Sequence, residues 1–160
     1  MSAGEPRLFT LGQERLTSDD YYTPSWIFEC MGIEFDLDVC SPPGGIPWIP
    51  AKQYYTQEDD GLMQPWAGRV WMNPPYSNVT PWVARLIEHG NGIGFFPFSR
   101  SRWLNRLFDE ADGITIPANI GSFAWANGAT MRYPIFLAAF GGDCVAAISG
   151  LGTVRTKRPA

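Results

Sequence analysis

The sequence predicts an α/β fold, an open sheet with helices covering both faces. Helix-like and strand-like segments alternate along the chain, which is the pattern that builds such a layered sheet. A length of 160 residues suits one domain, and 45% apolar against 18% charged residues is the balance of a chain with a buried core.

Residues 1–18 show no sustained period and read as an N-terminal arm; the domain is expected over 19–155, with a basic tail over 156–160. After Pro24, Ser25-Trp26-Ile27-Phe28-Glu29-Cys30-Met31 carries an apolar stripe and meets Gly32, which predicts a short helix opened by Thr23 or Ser25. Ile33-Glu34-Phe35-Asp36-Leu37-Asp38-Val39 alternates strictly, so a strand is expected with Ile33, Phe35, Leu37 and Val39 on one face. Ser41-Pro42-Pro43-Gly44-Gly45 is a loop by composition. Residues 46–68 have no clean period and read as a long ordered excursion with a short strand at 53–55. Arg69-Val70-Trp71-Met72 is a strand, stopped by Asn73-Pro74-Pro75-Tyr76 because prolines cannot continue a ladder. Thr80 and Pro81 open a helix whose apolar face is Val83, Leu86 and Ile87 and which ends at Gly90. Further on, strands are expected at 92–97, 113–116 and 134–140 and a helix at 102–111. Asp143 is expected to cap a last helix that runs to Ser149, before an extended piece at 152–155.

No apolar run approaches the roughly 20 residues that cross a bilayer, and the first residues lack the features of a secretory signal, so no membrane partner is expected. Three cysteines and one histidine show no ligand spacing, so no metal is expected. A net charge of −4 is not that of a passive nucleic-acid binder; any such contact needs local basic patches, as in the run around Arg100, Arg102 and Arg106 or at Arg155, Lys157 and Arg158.

In an open α/β sheet, ligands gather beyond the carboxyl ends of the strands. Two such ends stand out: an acid at Asp38 and the tetrapeptide Asn73-Pro74-Pro75-Tyr76. The Asn73 side chain offers a carbonyl oxygen, and the main-chain carbonyl of Pro74 precedes a nitrogen that carries no hydrogen. Two acceptors can then face one planar NH2 group and draw its lone pair out of the ring, while Tyr76 offers a stacking face. The tetrapeptide could equally be a plain turn.

Asn73-Pro74-Pro75-Tyr76 resembles the D/N-P-P-Y motif of amino-group methyltransferases, and its surroundings are similar to the phage-associated Dam-like DNA N6-adenine methyltransferases. Tyr22-Thr23-Pro24 resembles the family's Thr-Pro cofactor motif, Phe35-Asp36-Leu37-Asp38-Val39-Cys40 its first cofactor-binding strand, and Asp60-Gly61-Leu62 with Trp66 its acidic turn. The resemblance covers roughly residues 19–100 and implies S-adenosylmethionine as cofactor and DNA as substrate. It also implies a compact Rossmann-like methyltransferase fold, mostly parallel with an antiparallel strand near the C-terminus, and work in the cytoplasm of a bacterial host.

Carried over, Asn73, Pro74, Pro75 and Tyr76 would be catalytic; Tyr22, Thr23, Pro24, Asp38, Cys40, Asp60, Gly61 and Asn73 would bind the cofactor, with Thr23 and Pro24 at its amino-acid end. Arg100, Arg102 and Arg106 would hold the DNA backbone. The chain departs from the common Gly-x-Gly after the first strand, having Cys40-Ser41-Pro42-Pro43 there. Asn73→Asp is expected to keep some transfer, because aspartate still accepts hydrogen bonds. A homo-oligomer stays open, with nothing in the sequence to indicate one. Other readings are methylation of protein glutamine or of RNA, and a catalytically silent binding module.

Overall fold

The computed structural model describes residues 19, 21–117, 123–125, 130–131 and 134–157. The elements are β1 (Tyr21–Tyr22), α1 (Ser25–Met31), β2 (Phe35–Asp38), β3 (Ala51–Tyr54), β4 (Val70–Met72), α2 (Thr80–His89), β5 (Gly92–Pro97), α3 (Arg102–Glu110), β6 (Gly113–Thr115), β7 (Phe123–Trp125), β8 (Thr130–Met131), β9 (Ile135–Phe140), α4 (Gly142–Ile148) and β10 (Val154–Thr156). The arm expected over 1–18 and Arg158 lie outside the described residues.

Seven strands form one sheet in the order β10-β6-β9-β5-β4-β2-β3, and β1-β7-β8 form a smaller antiparallel one that no sequence pattern announced. In the large sheet β3, β2, β4 and β5 are parallel. The expectation of a mostly parallel sheet holds only for that half. β5 and β6 point the same way with β9 between them, so β9 must oppose both, and β10 in turn opposes β6.

The sheet is buried on both sides. One face packs Val70, Met72 and Phe96 against Trp82, Val83 and Leu86 of α2 and Trp103 and Leu107 of α3. The other packs Phe35, Trp71, Ile93 and Phe95 against Ile27 and Phe28 of α1 and Cys144 and Ile148 of α4. Where α1 and α4 meet, the backbones nearly touch: a Cβ on Gly150 would lie 2.2 Å from the Cys30 carbonyl oxygen.

Strand β2 does not keep the simple alternation that its sequence predicts. The N–H groups of Asp36 and Leu37 both donate to the Arg69 carbonyl, at 2.8 and 3.4 Å. Two residues set against one is an irregularity of the bulge type, and it shifts the phase of the strand. Phe35 therefore packs on the α1/α4 side, while Leu37 and Val39 pack on the α2/α3 side. The capping expectations also change. Thr23, Ser25, Thr80 and Asp143 make no side-chain cap: α1 starts from Pro24, α2 from Val79 one residue ahead of Thr80, and α4 from Gly141. Asp143 instead accepts from the Arg69 guanidinium at 3.2 Å. Gly32 and Gly90 do end α1 and α2, at φ 63° and 71°, conformations that favour glycine.

Trp71 is the centre of the α1/α4 side, fully buried, with its ring 4.7 Å from Phe28, 5.6 Å from Phe35 and 6.2 Å from Phe95. Its indole N–H has no partner among the described residues. Trp71→Ala is expected to cost about 3–5 kcal/mol in urea unfolding, whereas Trp71→Phe, which keeps an aromatic ring and removes the unpaired N–H, is expected to cost clearly less.

Candidate active site

Strands β2 and β4 are parallel neighbours, so their carboxyl ends reach the same edge of the sheet. The chain leaves β2 for β3 on one side and returns to β4 on the other, which makes the crevice between the two ends a switch point of the kind that holds ligands. A cleft of about 480 Å³ lies there. Its walls include Tyr22, Asp38, Cys40, Asp60, Gly61, Asn73 and Pro75, six of the predicted cofactor positions and two of the motif. The structure thus brings together residues from positions 22 to 75. Thr23, Pro24, Pro74 and Tyr76 are not in the walls: the first three are buried beside the cleft, and Tyr76 packs on Tyr21 with ring centres 5.9 Å apart.

Asn73 directly follows the fully buried end of β4. Its Nδ2 donates to the Tyr21 main-chain carbonyl at 3.1 Å and to Thr23 Oγ1 at 3.2 Å. That uses both amide hydrogens, and Oδ1 has no partner among the described residues. One residue on, the Pro74 carbonyl is likewise unpaired among them, whereas the Pro75 carbonyl accepts from the Asn78 N–H at 3.1 Å. The far side of the turn is held by Asp19, whose carboxylate accepts from the Ser77 N–H at 2.9 Å and the Ser77 hydroxyl at 2.6 Å. Asp19, Tyr21 and Thr23 therefore strap both ends of the motif.

Asp38 is 2% exposed. The bulk of the protein withholds water from its carboxyl and pushes the pKa up to about 7; the Cys40 N–H, donating at 3.2 Å, and the nearby Ser41 hydroxyl pull it down by less. That hydroxyl is itself buried and outside hydrogen-bond geometry. Burial first, then the Asp38 charge, push the Cys40 thiol up to about 12, so it is no nucleophile. The strand end is fixed by β3: the Tyr55 N–H donates to the Asp38 carbonyl and the Ser41 N–H to the Tyr55 carbonyl, both at 2.8 Å.

The third wall is the turn at Asp60 and Gly61. Asp60 takes φ 55°, which an aspartate tolerates better than most residues. Gly61 is pressed on the end of the sheet, since a Cβ there would meet the Val39 carbonyl oxygen at 2.2 Å. Arg85 of α2 clamps this turn: its guanidinium donates to the carbonyls of Gly61 (3.1 Å), Leu62 and Gln64, and lies 4.5 Å over the Trp66 ring. Trp66 donates its indole N–H to the Gly61 carbonyl at 2.8 Å and stacks on Trp82, itself a wall of the cleft.

Arg85, Asp19, Ser41 and Ser77 were not singled out from the sequence. Arg85 works through main-chain carbonyls, and these leave no mark in a sequence. Asp19 stood only at the start of the expected domain. The predicted cations Arg100, Arg102 and Arg106 are exposed and do not line the cleft. Arg100 and Arg102 follow β5, whose carboxyl end shares the edge of β4; Arg106 is ion-paired with Glu110 at 3.1 Å. Among the described residues no group of three or more His, Cys, Asp or Glu could hold a metal, and no helix is long and apolar enough to cross a membrane.

The raised carboxyl has a stability consequence. The unfolded chain ionises Asp38 near 3.8 and the folded one near about 7, so between these values the folded state holds the extra proton and loses stability as pH rises. Melting temperatures of wild type and Asp38→Asn are expected to diverge in the variant's favour from about pH 4 to about pH 7 and to run parallel above that.

The family model for DNA N-6-adenine-methyltransferase (Dam) matches residues 13–93, just over half of the chain. A curated relative from Haemophilus phage HP1 (strain HP1c1), named DNA N-6-adenine-methyltransferase, is 40% identical over 75 residues. That stretch is 44% of this chain and 42% of the relative, so the match spans less than half of either. No solved structure matches the chain. With the family's match running from the strap through the cleft walls to the start of β5, the chain belongs to the Dam family of DNA N-6-adenine-methyltransferases.

Proposed function

We propose that the chain is an S-adenosylmethionine-dependent methyltransferase that modifies N6 of adenine in DNA, on a Rossmann-like methyltransferase fold. The observation that carries this reading is the Asn73 carboxamide: its hydrogens are committed inward, so it has only an acceptor left to offer at a cleft wall. Family membership and the name of the phage relative support the substrate, and the parallel strands β3-β2-β4-β5 with β9 set against them support the fold.

The residues present fit the cofactor. Among the described residues, a buried Asp38 carboxyl with no cation beside it and a buried Ser41 hydroxyl without a partner suit a ligand that carries an ammonium and a carboxylate. Asp60, at the exposed rim, suits the amine of an adenine. When bound, S-adenosylmethionine supplies a methyl group made electrophilic by its sulfonium.

The Asn73 oxygen and the Pro74 carbonyl accept the two hydrogens of the target NH2, which localises the nitrogen lone pair; the surplus proton leaves to water after transfer. Alignment of that nitrogen is the protein's main task, and such positioning supplies up to roughly 7–11 kcal/mol. A paired adenine must first leave the stack, and Tyr76 provides a ring to receive it. Arg100 and Arg102 hold phosphates at the same edge; Arg106 contributes less because Glu110 already balances it.

Incubation with labelled S-adenosylmethionine and mixed-sequence DNA, followed by nucleoside mass spectrometry, is expected to give N6-methyladenine; label found only in RNA or protein, or no transfer by a chain that binds the cofactor, rejects the proposal. In the same assay Asn73→Ala is expected to lose roughly 10²–10³-fold, the scale for removing one positioned polar partner of a reacting group. Charge reversal at Arg102 is expected to weaken DNA binding and flatten its salt dependence, with cofactor affinity unchanged in calorimetry.

A further inference from the structure

The position of Thr23 does not suit a cofactor contact. It is fully buried and is not a wall of the cleft. Its hydroxyl instead takes one hydrogen of Asn73 Nδ2, while the neighbouring Tyr21 carbonyl takes the other. The strand that carries Tyr21, β1, is paired with β7, and the Thr23 carbonyl is held by the Trp48 indole N–H at 2.8 Å. Both receptors of the amide are thus fixed in place before any ligand arrives.

We propose that Thr23 is a positioning residue: with the Tyr21 carbonyl it locks the Asn73 carboxamide in the orientation that presents Oδ1, and this cradle makes position 73 selective for asparagine over aspartate. The selectivity follows from donor and acceptor counting. The Thr23 hydroxyl can turn and donate to a carboxylate, but a main-chain carbonyl has no hydrogen to give. An aspartate at 73 would set a bare oxygen about 3.1 Å from the Tyr21 oxygen, the distance at which Nδ2 now donates. The carboxylate would turn away or be held off, and the acceptor would leave its place. This reverses the expectation, drawn from the motif alone, that Asn73→Asp keeps part of the activity.

The inference rests on the methyltransferase reading above, and its test separates the two. Methyl transfer to DNA by the wild type reads the activity itself. Thr23→Val, which keeps the shape and removes the hydroxyl, is expected to lower kcat roughly ten- to a hundredfold, the scale of a small misplacement of a reacting group, with the KM for DNA, the Kd for S-adenosylmethionine and the melting temperature little changed. Thr23→Ser is expected to restore kcat to within a few-fold of wild type, and Asn73→Asp to be as inactive as Asn73→Ala. Wild-type kcat in Thr23→Val, failure of the serine to rescue a folded protein, or substantial activity in Asn73→Asp overturns it. A readout independent of activity is hydrogen exchange at the Asn73 side-chain amide followed by nuclear magnetic resonance. Both hydrogens are expected to be protected in the wild type without ligand; fast exchange there overturns the cradle even if Thr23→Val does not fold.

Discussion

Two consecutive residues without an N–H, Pro74 and Pro75, follow a strand whose three residues are fully buried, and this decides where the sheet ends and what stands at its lip. Inside β4 every main-chain group must find a partner in the ladder, because no water reaches it. Beyond Asn73 the chain has carbonyls but no main-chain donors for two residues, so the ladder cannot continue. What remains at the edge is a corner rich in acceptors and poor in donors. An exocyclic amine is the complementary group.

That corner has value only if it keeps its orientation, and the surrounding structure holds it from several directions. Asp19, Tyr21 and Thr23 bind the two ends of the turn from one short stretch of chain. Arg85 does the same for the opposite wall by gathering three carbonyls of the 61–64 turn under one planar guanidinium, whose fork of donors suits that task better than a lysine would. Between these supports lie the Asp38 carboxyl, which accepts from the Cys40 N–H, and two of the three buried side-chain groups without a partner among the described residues, the Ser41 hydroxyl and the Trp71 indole N–H; the third, Arg69 Nε, lies away from the cleft. Buried polar groups without partners are rare in folded proteins, and the two in the walls of this cleft are groups that a polar ligand could satisfy.

Much of the architecture was legible in the sequence because it rests on local chemistry. Gly32 and Gly90 end their helices where expected, each strand of the large sheet lies within a residue or two of the segment expected for it, and the stop after Met72 follows from the prolines. The errors arose where a distant partner outcompeted a local one. Thr23 looked like a helix cap, but its hydroxyl goes to Asn73, fifty residues away. Asp143 looked like a cap and pairs with Arg69. The alternation in β2 slipped at Asp36, whose carboxylate accepts from the Arg69 N–H at 2.8 Å and the Lys52 ammonium at 2.9 Å and draws the backbone into its irregular turn.

The residue types at the lip of the sheet, the order of the elements and the place where β4 must stop were determined by the sequence alone, because glycine, proline and apolar spacing act within a few residues. The tertiary structure decided which side of the Asn73 amide faces the cleft, which arginine clamps a loop and which is cancelled by a neighbour, and that only half of the sheet is parallel. Those outcomes depend on main-chain carbonyls and on pairings between distant strands, and neither is written in the identity of any one side chain.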